Sequence, residues 1–228
     1  MSTVIILLLV LPMIGAVMAL NDSATNWEDF RNGAVPGGDG RFYGVEGELR
    51  MKNIGLDTDG KQYWTHIVLL DDWISPTPRF VEVGIIVFRN AGVTMARVYW
   101  SYIDDRTGNG VDKWGDFVSY DTYYTFRIEY AGNDQWKVYK NSALQDTITF
   151  QYTHMRPRKC YSQLEANFAT FPSMSTGTEV YRWRNLVWRD QAGSWYTWSS
   201  STIGYPQPFT NVRFYKISDK EYYSYYYA

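Results

Sequence analysis

Apolar and polar residues alternate along most of the chain in short runs broken by turn residues. VEGELRMKN (45–53), YWTHIVLL (63–70), RFVEVGIIVF (79–88), TMARVYWSYI (94–103), TYYTFRIEY (122–130) and QWKVYKN (135–141) fit a strand pattern. So do QDTITFQY (145–152), SQLEANFA (162–169), EVYRWRNLVWR (179–189), SWYTWSS (194–200) and NVRFYKIS (211–218). Turn signals such as LDTDGK, RNAG, DRTGNG, AGND and IGYPQP separate them, and no segment sustains a helical period. The pattern predicts an all-β fold, two antiparallel sheets packed as a sandwich of jelly-roll type. The firmest hairpin joins TYYTFRIEY through AGND to QWKVYKN. The Gly- and Asn-rich stretch over 20–44 reads as an irregular arm, and YYSYYY (222–227) as a last edge strand.

Alternation also sorts side chains by face. In RFVEVGIIVF, the branched set Val81, Val83, Ile85 and Val87 is the inner face, which leaves Glu82 outside with Phe80, Gly84, Ile86 and Phe88. In SQLEANFA, Leu164, Ala166 and Phe168 point inward, while Gln163, Glu165 and Asn167 gather on the other face. The same sorting puts Arg97, Tyr99 and Ser101 opposite Val98, Trp100 and Tyr102. It sets Tyr181, Trp183, Asn185 and Val187 opposite Arg182, Arg184, Leu186 and Trp188. A carboxylate among large apolar residues is costly unless it is paired or lies in a cleft, and burial there raises its pKa. If the strands are neighbours, Glu82, Arg97, Tyr99, Gln163, Glu165 and Asn167 form an aromatic, hydrogen-bonding trough. The alternative is an ordinary wet face of an antiparallel sheet.

Composition adds ten Trp, twenty Tyr and eleven Phe, which either fill a β core or line a surface that stacks on ligands. The net charge of −2, from 22 basic and 24 acidic residues, removes the electrostatic case for nucleic acid or anionic lipid. The opening run STVIILLLVLPMIGAVMA ends with Val17 and Ala19 at signal-peptidase spacing. It reads as a secretory signal over 1–19, followed by one β-sandwich domain over 20–228; a retained membrane anchor is the alternative. A secreted, extracellular protein is expected, with no stable membrane insertion after cleavage. Cys160 is alone, so no intrachain disulfide forms; it reads as a small, semi-buried hydrophobe, with an intermolecular bridge as the alternative. His66 and His154 read as single structural histidines. No phosphate-binding loop or zinc spacing occurs, and no cofactor or catalytic metal is expected. DTDG (57–60) and DDRTGNG (104–110) are acidic turns that could hold a structural calcium ion.

The layout resembles the concanavalin-like jelly rolls, a fold shared by lectins, glucanases and glutamic peptidases. Its motifs are most similar to the secreted glutamic peptidases (eqolisins). In that family a Gln two residues before a Gly, and a Glu on a later strand, form the catalytic pair. The matching positions are Glu82 in VEVG and Glu165 in QLEANF. The resemblance implies that Glu165 serves as general acid and base. Glu82 departs from the family's Gln, and a second carboxylate would repel an oxyanion unless protonated. The ExDxxE-type strand of the glucanase jelly rolls is missing. The leading expectation is therefore a protein that binds carbohydrate or another extracellular polymer, polysaccharide or polypeptide. Its groove would use Tyr99, Arg97, Gln163 and Asn167. The alternatives are a hydrolase on the same groove, peptidase-like or glycosidase-like, with Glu165 and Glu82 as the catalytic pair, and a structural surface or filament protein.

Overall fold

The computed structural model describes residues 26–32, 40–71, 78–152, 154–207 and 209–227. The expected signal segment and most of the N-terminal arm lie outside them. Among the described residues no helix occurs, and so none there is long and apolar enough to cross a membrane. The strands are β1 (Asn26–Asn32), β2 (Gly44–Met51), β3 (Gln62–Asp71), β4 (Arg79–Asn90) and β5 (Val93–Ile103). Next come β6 (Gly110–Phe117), β7 (Tyr123–Gly132), β8 (Gln135–Lys140), β9 (Ala143–Thr149) and β10 (Lys159–Ala166). The last are β11 (Glu179–Arg189), β12 (Trp195–Thr197), β13 (Ser201–Gln207), β14 (Val212–Ser218) and β15 (Glu221–Tyr226).

Two antiparallel sheets form, one in the order β13-β1-β10-β3-β4-β5-β6 and the other β14-β15-β11-β2-β7-β8-β9, with β12 beside β11. Their inner faces make one continuous core. Val81, Val83, Ile85 and Val87 of β4 meet Val45 and Leu49 of β2, Phe126 and Ile128 of β7, and Trp183 of β11 there. Two buried hydrogen bonds tie the sheets across this core. The Trp183 indole donates to Thr65 Oγ1 at 2.9 Å, and Ser162 Oγ shares a proton with Tyr222 OH at 2.5 Å. Both bonds begin on the inner faces of β3 and β10, so the outer faces of these strands are left to a second set of side chains.

The structure departs from simple alternation in places with identifiable causes. Part of the expected arm, residues 26–32, is β1, which pairs with β10 and β13. The tail strand β15 is not an edge: it lies between β14 and β11. In β11 the inward set is Tyr181 and Trp183 and then Leu186 and Trp188, rather than Asn185 and Val187. A bulge shifts the register between Arg184 and Val187, with Asn185 left-handed at φ 55°, and one extra residue exchanges the faces downstream. Cys160 is fully buried in the core rather than semi-buried, and burial pushes its thiol pKa well up. A thiol so placed has no route to an intermolecular bridge in the folded chain.

Gly84 is the tightest point of the first sheet. A Cβ there would lie 1.9 Å from the Thr65 carbonyl oxygen and 2.6 Å from the His66 Cα, both backbone atoms of β3. Glycine is thus required for β3 and β4 to approach as they do. Gly84→Ala should lower stability by roughly 3 kcal/mol through overpacking, read as a drop in urea midpoint; an unchanged midpoint would show that the approach can relax freely.

Candidate active site

The outer face of the first sheet carries three rows of side chains across β10, β3, β4 and β5. One row runs Tyr161, Val68, Glu82 and Ser101, and continues to Asp112 on β6. The next runs Gln163, His66, Gly84, Tyr99 and Trp114. The third runs Glu165, Trp64, Ile86 and Arg97. Glu82 and Glu165 thus share one face and flank β3, and the missing side chain of Gly84 leaves the middle row to His66, Gln163 and Tyr99.

This face is buried, not wet. Glu82 is 7% exposed, Glu165 8% and Gln163 2%. Apolar side chains bound the polar band at both ends. Val68, Leu70, Phe80, Ile103 and Tyr161 cluster at one end, and Trp64, Ile86 and Tyr99 at the other, with Phe88 and Trp114 against them.

Within the band the polar groups form two hydrogen-bonded groups with His66 between them. Tyr99 OH donates to Glu82 Oε1 at 2.8 Å and lies 3.3 Å from Asp112 Oδ1. Glu82 Oε2 lies 3.4 Å from His66 Nε2. Gln163 donates from Nε2 to Glu165 Oε1 at 2.5 Å, and neither ring nitrogen of the buried His66 has a hydrogen-bond partner among the described residues. The Glu82–His66 contact is one between neutral groups, because burial pulls the imidazole down to about 3 while it pushes the carboxyl up. Glu82 is held well above the ordinary carboxylate range, first by desolvation and then by the charge of Glu165. Desolvation likewise raises Glu165 to about 7, opposed by the Trp64 indole and assisted by Asp112. Asp112 is itself raised by burial. No lysine or arginine among the described residues offsets either glutamate. The arrangement can therefore keep a carboxyl protonated near neutral pH, which is what acid–base chemistry requires.

The structure brings together Glu82, Glu165, Gln163 and Tyr99 and leaves two expected partners aside. Arg97 shares the face, but its guanidinium donates twice to the Gly115 carbonyl, at 3.0 and 2.8 Å, and covers the Phe117 ring. Asn167 lies just past β10, where it accepts from the Gln62 N–H and donates to the Gly60 carbonyl, both at 2.9 Å. It serves the β3 turn rather than the carboxyl band. His66 and Asp112 are the additions. In YWTHIVLL, Trp64, His66, Val68 and Leu70 share one parity, which would have placed His66 beside Gln163 once β3 and β10 were known to pair. Asp112 lies on β6, whose sequence GVDKWGDF lacks clean alternation.

The acidic turns serve the chain itself. Asp57 pairs with Lys61 at 2.8 Å, Asp59 with Arg89 at 3.2 Å, and Asp104 accepts from the Arg106 N–H at 2.9 Å. No group of His, Cys, Asp or Glu that could hold a metal occurs among the described residues.

No family model and no curated protein matches the chain. Solved structures do. Scytalido-glutamic peptidase with a peptide-based transition-state analogue aligns at TM-score 0.61 and 9% identity, over 89% of this chain and 98% of that one. A second eqolisin peptidase, in complex with the tripeptide Ala-Ile-His, aligns at 0.59 and 8%, with the same coverage. A Bacillus licheniformis β-glucanase is more distant, at 0.42 and 14%, over 82% and 67%. The chain has a concanavalin-like jelly-roll fold, with a similarity to the glutamic peptidases that is one of fold.

The raised Glu165 has a consequence for stability. The folded chain keeps a proton that the unfolded chain releases between 4.5 and about 7. The contribution of Glu165 to stability is then fully present below about pH 4.5 and is lost as pH rises through about 7, by roughly 3 kcal/mol. Urea midpoints across this range should show the fall, and Glu165→Gln should flatten it, leaving the share due to Glu82. An equally steep fall in the variant would assign the proton elsewhere.

Proposed function

We propose that this chain is a hydrolase that cleaves peptide bonds in an extracellular polypeptide, with Glu165 as the residue that activates water. One observation carries the reading: Glu82 and Glu165 lie on one buried face, with His66 3.4 Å from the one and Gln163 donating to the other, and no lysine or arginine among the described residues neutralises them. A surface made only to bind would gain nothing from burying two carboxyls in this way, whereas catalysis needs a base and an acid with separated pKa values. The likeness to two peptidases in fold agrees with the reading.

In the competent state Glu165 is ionised and Glu82 keeps its proton. Glu165 takes a proton from water as the oxygen attacks the scissile carbonyl, and the C=O electrons move onto the carbonyl oxygen. Glu82, still protonated, donates a hydrogen bond to that oxyanion, as an amide does at the matching position of the glutamic peptidases. Glu165 then returns the proton to the leaving nitrogen as the C–N bond breaks, and the carbonyl re-forms. Tyr99 holds one oxygen of Glu82 in place, and the other faces His66 Nε2 at 3.4 Å. The apolar clusters at the ends of the band would take the side chains of an extended peptide.

A second reading is carbohydrate binding on the same face, favoured by the ring cluster in which Tyr99 and Phe88 meet Trp114 edge-on at 5.8 and 6.2 Å.

Two substitutions separate these readings. Glu165→Gln should reduce cleavage of a denatured protein by roughly 10²–10⁴-fold. Glu82→Gln should retain cleavage, because an amide replaces the protonated acid as donor. Activity of the natural chain should rise with pH through about 7, the value of Glu165. Loss of polysaccharide hydrolysis in Glu82→Gln would instead identify a two-carboxylate glycosidase, and glycan retention without turnover in either variant would identify a binding protein.

A further inference from the structure

The outer face of the first sheet holds a third carboxyl beside the glutamate pair. Asp112 of β6, at the edge of the sheet, stands in the row of Glu82 with Ser101 of β5 between them. It is only partly buried, whereas Glu82 is buried. Its neighbour Lys113 turns away to pair with Asp146 at 2.7 Å, so no cation among the described residues offsets Asp112. The titratable and polar groups on its side of the sheet are Tyr99 and Ser101 of β5, Glu82 of β4, His66 of β3 and Glu165 of β10.

The Tyr99 hydroxyl links Asp112 to Glu82. It lies 2.8 Å from Glu82 Oε1 and 3.3 Å from Asp112 Oδ1, on a buried ring. A phenol has one proton to donate. Burial and the two carboxyls push the Tyr99 pKa well up, so that proton stays on the phenol, and the two carboxyls compete for it. Glu165 is treated differently. Gln163 donates to it at 2.5 Å, and no other carboxyl among the described residues bonds that amide. The two glutamates thus share one face but differ in donor supply: an anion on Glu165 has a donor of its own, while an anion on Glu82 would have to share one with Asp112. Burial raises Asp112 too, but the Ser101 and Tyr99 hydroxyls oppose the rise, so it ionises before Glu82.

We propose that Asp112 is a positioning residue that assigns the proton of the glutamate pair: by competing for the Tyr99 hydroxyl and placing its own charge beside Glu82, it keeps Glu82 protonated and leaves Glu165 as the base. This rests on the reading of Glu165 as the residue that activates water. Glu165 loses its charge when it takes the proton of that water, and with it goes the repulsion that helps Glu82 hold its own proton. The charge of Asp112 is unchanged by the step, so Glu82 remains a donor while the oxyanion forms.

Carboxyl-carbon NMR titration of the full chain reads the assignment without turnover. In Asp112→Asn, which removes the charge and keeps the size, the Glu82 midpoint should fall by roughly one pH unit and that of Glu165 by less than half as much. In Tyr99→Phe, where no phenol proton is contested, adding Asp112→Asn should move Glu82 less than half as far as it does in the natural chain. A Glu82 midpoint that stays in place, one that moves no further than that of Glu165, or a full shift in the Tyr99→Phe background would each overturn the proposal. Cleavage of a denatured protein separates this result from the hydrolase reading. If the natural chain cleaves, Asp112→Asn should move the alkaline decline of kcat/KM to lower pH by the same amount as the Glu82 midpoint, and an unmoved decline would overturn the proposal. If the natural chain does not cleave, the hydrolase reading fails and the titration alone decides whether Asp112 assigns the proton.

Discussion

Two carboxyl groups share one buried face of a β-sheet, with no lysine or arginine among the described residues to compensate them. Ionising both at once in that environment is costly, so the fold favours a state in which the pair retains a proton. Much of the surrounding architecture answers to that condition. Tyr99 occupies one oxygen of Glu82, His66 stays neutral beside the other, and Gln163 holds Glu165 by a short bond from its amide. The apolar clusters at either end of the band sustain the desolvation that raises both groups.

The sandwich makes this possible by burying β3 on both faces. Its inner residues Tyr63, Ile67 and Leu69 belong to the core between the sheets, while Trp64, His66 and Val68 belong to the outer face. The cross-sheet bond from Trp183 to Thr65 anchors the strand from within. Gly84 lets β4 close against it from the side. A central strand fixed from two directions can hold side chains on its neighbours at defined separations, which a loop-borne site could not do as well.

The fold was legible in the sequence wherever period-two alternation was clean. The branched inner face of β4 and the split of β10 into Leu164 and Ala166 against Gln163 and Glu165 both follow directly from it. It failed where the backbone adds a residue, as at the Asn185 bulge, and where polar residues dominate a strand, as in β6. The site was legible in part. Parity placed Glu82, Tyr99, Gln163 and Glu165 on outer faces, but only strand order could show that those faces adjoin. Parity also could not tell that Arg97 folds back onto Gly115, or that Asn167 leaves the strand to hold a turn, because both depend on local hydrogen bonds rather than on face. His66 looked structural because a lone histidine in an apolar run usually is; its neighbours become visible only when three strands are set side by side.

The proposed peptide hydrolysis and the stability profile both depend on where the proton of the glutamate pair resides. The most direct measurement is a carboxyl-carbon NMR titration of the intact chain, with Glu82→Gln and Glu165→Gln used to assign the two signals. The account predicts that one carboxyl loses its proton near 7 while the other keeps it to higher pH. Two signals that both titrate near the ordinary 4.5 would contradict it, because the pair would then be a solvated double anion with no proton to share.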